Sequence, residues 1–229
     1  MSTTEPRDLI LEKIREKSVL KQDVFHNTIA QFKNLKAALA ACVEDIRKRF
    51  GKTDPRVEFY YKDKGDFQAE MKVGGDVLIF HMNTNVFQFD RSHSLWRSSY
   101  LKDSDQNSYV GIINIYNFLA DSLKYQRSGD IGYLIARLFV NRENHFLVQG
   151  KRQLGYLYND FINSRLDNDA LASIVNTALL YTLDFDMYTP PYETVQELTV
   201  QDIQTLQEHT GLQTGKRLGF KFGLDESQL

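Results

Sequence analysis

Apolar residues change rhythm along this chain, and each change marks a boundary. Between residues 6 and 50 they recur at helical intervals. Phe25, Thr28, Phe32, Leu35, Leu39, Cys42 and Ile46 fall at alternating steps of three and four, which keeps one stripe on one side of a helix. Upstream, Leu9, Leu11 and Ile14 follow a similar rhythm but lose phase near "KSVLKQD". Ser18 is placed to cap a fresh helix there, so the pattern predicts two helices meeting at a kink. Gly51 and "KTDP" close the region, because Pro55 cannot continue a helix.

Beyond that point the period shortens to two. "VEFYY", "FQAEMKV", "VLIFHMN", "VFQF" and "LWRSSY" are short runs rich in β-formers, separated by the turn sequences "KDKGD", "GGD", "NTN" and "DRSHS". Phe67, Ala69, Met71 and Val73 alternate with Gln68, Glu70 and Lys72, giving one dry and one wet face. Connections this short join antiparallel neighbours, since a parallel crossover needs a dozen residues or more. "YVGIINIYNFL" at 109–119 fits either a long strand or the start of a helix. Asp130 is positioned to cap "IGYLIARLFV" as a helix, "HFLVQGKR" reads as a strand, and "LGYLYNDF" extends its pairing. Leu171, Ile174, Val175, Ala178, Leu179 and Thr182 mark an amphipathic helix from 168 to 183. After "TPP", Thr199 caps a helix over 200–210 that Gly211 closes, and "KRLGFKF" is a last strand. The expected fold is α+β: an antiparallel meander with N-terminal amphipathic helices and C-terminal helices packed on one face. A helical arm (1–54) and an α+β body (55–229) together form one folding unit. The 25–46 stripe can pack on that body or serve as a seam for self-association.

Composition adds few restrictions. The 229 residues are 42% hydrophobic, 12% aromatic and 25% charged, ordinary globular usage. A single cysteine, Cys42, leaves no internal disulfide, and its place on the apolar stripe predicts a buried, inert thiol. The first residues lack an apolar core for a signal peptide, and nowhere do about 18 apolar residues run together. A soluble cytoplasmic protein is expected. The formal net charge of −2 gives no general pull toward nucleic acid or membrane. Charge is nevertheless uneven: Leu183 to Leu212 holds six acids and no Lys or Arg, whereas cations cluster at Arg47, Lys48, Arg49 and Lys52 and at Lys216, Arg217 and Lys221.

Two clusters carry candidate chemistry. In "NRENHFLVQGKRQLGYLYNDF", a regular strand through 145–151 would project His145, Leu147, Gln149 and Lys151 from one face, with Arg152 on the other. Gly150 could introduce a bulge that changes this count. In "FDRSHSLWRSSY", Asp90, Arg91, His93, Trp96, Arg97 and Tyr100 gather across a tight hairpin, and Trp beside Arg is a recognition anchor as well as a cross-strand filler. The five histidines show no metal-ligand spacing, and no phosphate loop, dinucleotide fingerprint or nucleophile elbow occurs. No metal and no cofactor is therefore expected. Asp130 followed by Gln149-Gly150-Lys151 resembles, on paper, the carboxylate and lysine pattern of metal-dependent nucleases of the restriction-enzyme-like class. There the carboxylate would hold Mg²⁺ and the lysine would orient water.

"DVLIFHMNTNVFQFD", "GIINIYNFLADS", "LIARLFVNRENHFLVQGKRQLGYL" and "QTGKRLGFKF" resemble a family of bacterial proteins of similar length with no assigned activity. That resemblance implies a bacterial, cytoplasmic protein and no mechanism. The leading expectation is a binding or interaction module without catalysis, using a sheet surface around Trp96, Gln149 and Lys151. A phosphodiesterase-like enzyme on Asp130, Gln149 and Lys151 is the alternative. Nucleic-acid binding without catalysis comes third, because the chain lacks the usual basic excess.

Overall fold

The computed structural model describes residues 5–51, 53–185, 189, 191–201 and 203. The chain opens with α1 (Pro6–Lys13), passes through a π-helical stretch at Ile14–Val19, and continues as α2 (Leu20–Phe50). The expected kink and Ser18 cap are replaced by this wider turn. A π-helical insertion adds residues to one turn without breaking the ladder, so the apolar stripe regains its phase in place. Thr28, Phe32, Leu35 and Leu39 are buried, as is Val43 beside them, while Phe25, Cys42 and Ile46 pack at the margin of the same core. The buried part of the 25–46 stripe is therefore covered within the chain. Cys42 is half-buried against Asn176, and burial, with Asp45 beside it, pushes its thiol up, away from the reactive thiolate.

Strands β1 (Phe59–Asp63), β2 (Gln68–Val73) and β3 (Asp76–Met82) follow as a meander. The β2–β3 turn is closed by Gly74 at φ +58°, a value that suits a two-residue hairpin and disfavours a side chain. Next come the two-residue β4 (Phe87–Gln88), α3 (Ser99–Asp103), the long β5 (Tyr109–Leu119) and α4 (Ala120–Lys124). The remainder is β6 (Tyr133–Val140), β7 (Phe146–Gly150), α5 (Gln153–Tyr156), α6 (Asn168–Leu183) and α7 (Tyr192–Val195). The seven strands run β1-β2-β3-β5-β6-β7, with β4 pairing the start of β5, and every pair is antiparallel.

One open assignment is resolved and others need correction. The 109–119 ambiguity resolves as strand, because β5 sits between β3 and β6 and its backbone groups are consumed on both sides. "YLIARLFV" is strand β6, so Asp130 caps no helix; its β-branched and aromatic residues suit a half-buried sheet better than a helix face. "LWRSSY" coils into a 3₁₀ turn (Ser94–Arg97) and α3, where Ser98 accepts from the Leu101 amide as an N-cap. "LGYLYNDF" forms no strand: it begins within α5, and its Tyr158 carbonyl meets β7, accepting from the Val148 amide at 2.8 Å. The irregularity suspected at Gly150 lies opposite it: the β5–β6 register slips by one at Ile135, while Gly150 pairs regularly with Ala136.

The two sheet faces are packed differently. On the inner face, Ala69, Phe80, Ile115, Ala136 and Gly150 form one row across five strands, and Met82, Ile113, Leu138 and Val148 form the next. α2 and α6 roof these rows. In α6 the predicted stripe from Leu171 to Thr182 is buried throughout, and Asp167 caps its first turn by accepting from the Ala170 amide at 2.8 Å. Gly111 lets α2 come close to β5, since a Cβ there would sit 2.0 Å from Thr28 Oγ1. The helix over 200–210 and the last strand lie, from residue 204 on, outside the described residues, as do Lys216, Arg217 and Lys221. Among the described residues no helix is long and apolar enough to cross a membrane.

Candidate functional site

The outer face is where the polar residues collect. Alternation from the inner rows sends Gln68, His81, Asn114, Arg137 and Gln149 outward, and the strand register sets them directly opposite one another across β2, β3, β5, β6 and β7. With strands about 4.8 Å apart, this transverse row is roughly 19 Å long. Gln68, His81, Asn114 and Arg137 are half-buried and Gln149 is exposed. The Arg137 guanidinium donates to Gln149 Oε1 at 2.8 Å and lies 5.8 Å from the centre of the Phe139 ring. The Asn114 side-chain oxygen is shielded from solvent and has no hydrogen-bond partner, which carries a desolvation cost of about 1–3 kcal/mol.

Apolar and charged groups flank the row. On one side Lys62, Glu70, Ile79, Tyr116 and Leu134 lie in register across five strands. Glu70 is buried but well supplied with partners: the Tyr60 hydroxyl donates to it at 2.5 Å and Lys64 lies 3.2 Å away. Burial pushes the Glu70 carboxyl up, yet the hydrogen bonds from Tyr60 and Lys64 outweigh it and hold the group below its ordinary range. Burial, then Glu70 itself, raises the Tyr60 phenol above its usual value. The Tyr60 ring lies between the Lys62 and Lys72 ammonium groups, at 4.3 and 5.9 Å, and Lys72 also pairs with Glu58.

On the other side the outer face is closed by a lid. Phe89, Leu101, Val110, Leu147 and Phe161 form a second apolar cluster, with Leu95, Trp96, Tyr100 and Phe139 at its margin. The FDRSHSLWRSSY cluster is thus a folded cap over one end of the sheet and not a hairpin. Asp90 accepts from the amide and hydroxyl of Ser92, His93 accepts from the Leu95 amide, and the Trp96 indole donates to the Asp90 carbonyl at 2.8 Å. Arg91 stacks on the Trp96 ring at 3.9 Å and reaches Asp105 at 3.5 Å. Arg97 is exposed beside them. Asp90, Arg91, His93 and Trp96 are brought together, but largely by satisfying one another.

The strand through His145 divides its side chains differently from expectation. His145 does lie on the outer side, but it is buried, its Nδ1 within 3.0 Å of the Phe161 carbonyl and its ring 4.5 Å from that of Tyr100. It belongs to a polar knot that ties the β6–β7 turn to α2 and the lid. Asn27 and Gln31 both donate to the Asn144 side chain at 2.8 Å, and Tyr100 donates to Glu143 at 2.7 Å while accepting from Asn141 at 2.8 Å. Lys151 has left the strand and is exposed in the following turn. Arg152, at φ +48°, turns toward α6, with its guanidinium 5.8 Å from the Tyr181 ring beside a cleft of about 60 Å³. That space suits one or two waters. The Asp130 carboxylate accepts from Ser122 at 2.6 Å and lies 3.8 Å from Arg127. It is occupied in holding the loop before β6, and Gln149 is engaged by Arg137 instead. Among the described residues, no cluster of three or more His, Cys, Asp or Glu is arranged to hold a metal ion.

Sequence reasoning therefore found Gln149 and missed its four companions in the row. Their signal was present as polar residues in phase on the wet face of each strand, but the register that aligns them could not be read. Compared with protein-family models, curated proteins and solved structures, the chain matches none of them.

Proposed function

We propose that the protein is a non-catalytic binding module whose recognition surface is the open half of the outer sheet face. One observation carries this reading: five hydrogen-bonding side chains, Gln68, His81, Asn114, Arg137 and Gln149, lie in register across five strands on a face that the lid leaves uncovered. Amide and guanidinium groups at this density supply directional contacts to an extended polar ligand. The Asn114 oxygen, left without a partner, adds nothing to folding. Rigid strands hold each group in place, which limits the ordering cost of association. Trp96 and Arg91 form one border of the surface rather than its centre.

The test is selection of random peptide and random oligonucleotide pools against the full chain, in parallel with Gln149→Glu. Enriched ligands of either kind that lose binding to the Gln149→Glu protein are expected. Ligands that bind both proteins equally would place recognition elsewhere.

A further inference from the structure

Resting on that reading, we infer that the outer face takes single-stranded nucleic acid. The charged side chains on and beside this face are Lys62, Lys64, Lys72 and Arg137 against Glu58 and Glu70. Glu70 is satisfied by Tyr60 and Lys64 and Glu58 by Lys72, so four cations meet two carboxylates. The patch is thus cationic on a chain whose formal net charge is −2, and an anionic strand is steered to it rather than to the molecule at large. The cations are spread to suit a backbone: Lys62 on β1, beside the paired Lys72 and Glu58, and Arg137 four strands away within the row.

The groups between them are suited to bases. His81 lies in the row itself, Tyr116 one register step to one side, and Phe139 one step to the other, with Arg137 against its edge of the row. All three residues are half-buried, and Phe139 is held from its far side by Phe89 of the lid. Flat rings on a sheet, interleaved with cations, are a sequence-tolerant stacking platform. Gln68, Asn114 and Gln149 place side-chain amides along the row, groups able to donate and accept at base edges. An acidic peptide would use the cations but leave the rings and amides idle. A duplex would bury its bases away from the rings.

The experiment is fluorescence anisotropy of fluorescein-labelled uridine and deoxythymidine 12-mers with the full chain. Saturable binding is expected to weaken about tenfold between 50 and 200 mM salt, the response to two or three neutralised phosphates on a single strand. Arg137→Glu and Tyr116→Ala should each weaken it about tenfold or more, while Lys48→Glu, on the exposed side of α2, should leave it unchanged. Circular dichroism and thermal melting establish that each variant is folded. If Arg137→Glu is not, Gln149→Glu at the exposed end of the row replaces it, with a loss of the same sign expected. No anisotropy change with either 12-mer, or binding indifferent to both row substitutions, would overturn the assignment. Capture of an acidic peptide through the same row, with no oligonucleotide binding, would overturn it too while leaving the sheet-face reading intact.

Discussion

The two faces of one sheet, made from the same strands, obey different rules. The inner face is apolar apart from Asn117 near its margin, whose amide donates to Asp76, and its rows pack against α2 and α6. The outer face is apolar beneath the lid and again at Val77, Ile79, Phe118 and Leu134, with the polar row running between the two. Packing alone accounts for the first. The second puts amides, an imidazole and a guanidinium at positions where β-branched residues would be more stable, so its composition answers to something other than folding.

If this contrast holds, substitutions on the two faces separate sharply in stability. The largest effect is expected inside. Leu39 is fully buried, so Leu39→Asp places an unpaired carboxylate in the core and should abolish cooperative unfolding in urea. Loss of the folded chain, rather than release of a folded monomer in sedimentation, is expected, because the stripe is used within one chain. A smaller loss, about 1–3 kcal/mol, should follow Gly111→Ala, since the added Cβ meets Thr28. Adding Thr28→Ala, which removes two of the three closest atoms, should recover part of it in the same urea assay.

At the boundary of the lid, Tyr100 provides a pH-dependent contribution. Burial, then its hydrogen bond to Glu143, pushes the phenol up to about 12. The folded state thus favours the protonated form, and this stabilisation is complete below the ordinary tyrosine value near 10 and lost as pH rises from there to about 12. Tyr100→Phe should cost about 1 kcal/mol at neutral pH, by leaving Glu143 and Asn141 short of a partner. It should also flatten the alkaline decline in melting temperature. Tyr60, Tyr61 and Tyr181 are raised as well, each chiefly by burial, so the decline should persist in reduced form.

Legibility in the sequence divided along the same line. The stripe of α2, the dry face of β2 and the whole buried face of α6 were readable, because periodicity reports burial against a single neighbour. The ambiguity at 109–119 and the helix assigned to 131–140 had a common cause. Both segments are central strands with apolar residues on both faces, interrupted by Asn114 and Asn117 in one and Arg137 in the other, so alternation is weak and the choice depends on tertiary neighbours. "LWRSSY" was misjudged because its composition favours strand, while the side chains of His93 and Ser98 accept from the Leu95 and Leu101 amides and start turns instead. The polar row was out of reach for a different reason. Each member looks like an ordinary wet-face residue, and only the inter-strand register, including the slip at Ile135, makes them one feature.

Asn114 offers the most direct test, because it lies at the centre of the row with an unsatisfied oxygen. Its replacement by valine removes a buried polar atom and installs a strong β-former. The urea midpoint of Asn114→Val is expected to equal or exceed that of the unaltered chain, by up to about 1 kcal/mol of added stability, alongside weaker ligand binding. A clear fall in midpoint would mean that the row is part of the folding scaffold, and would contradict its reading as a surface kept for recognition.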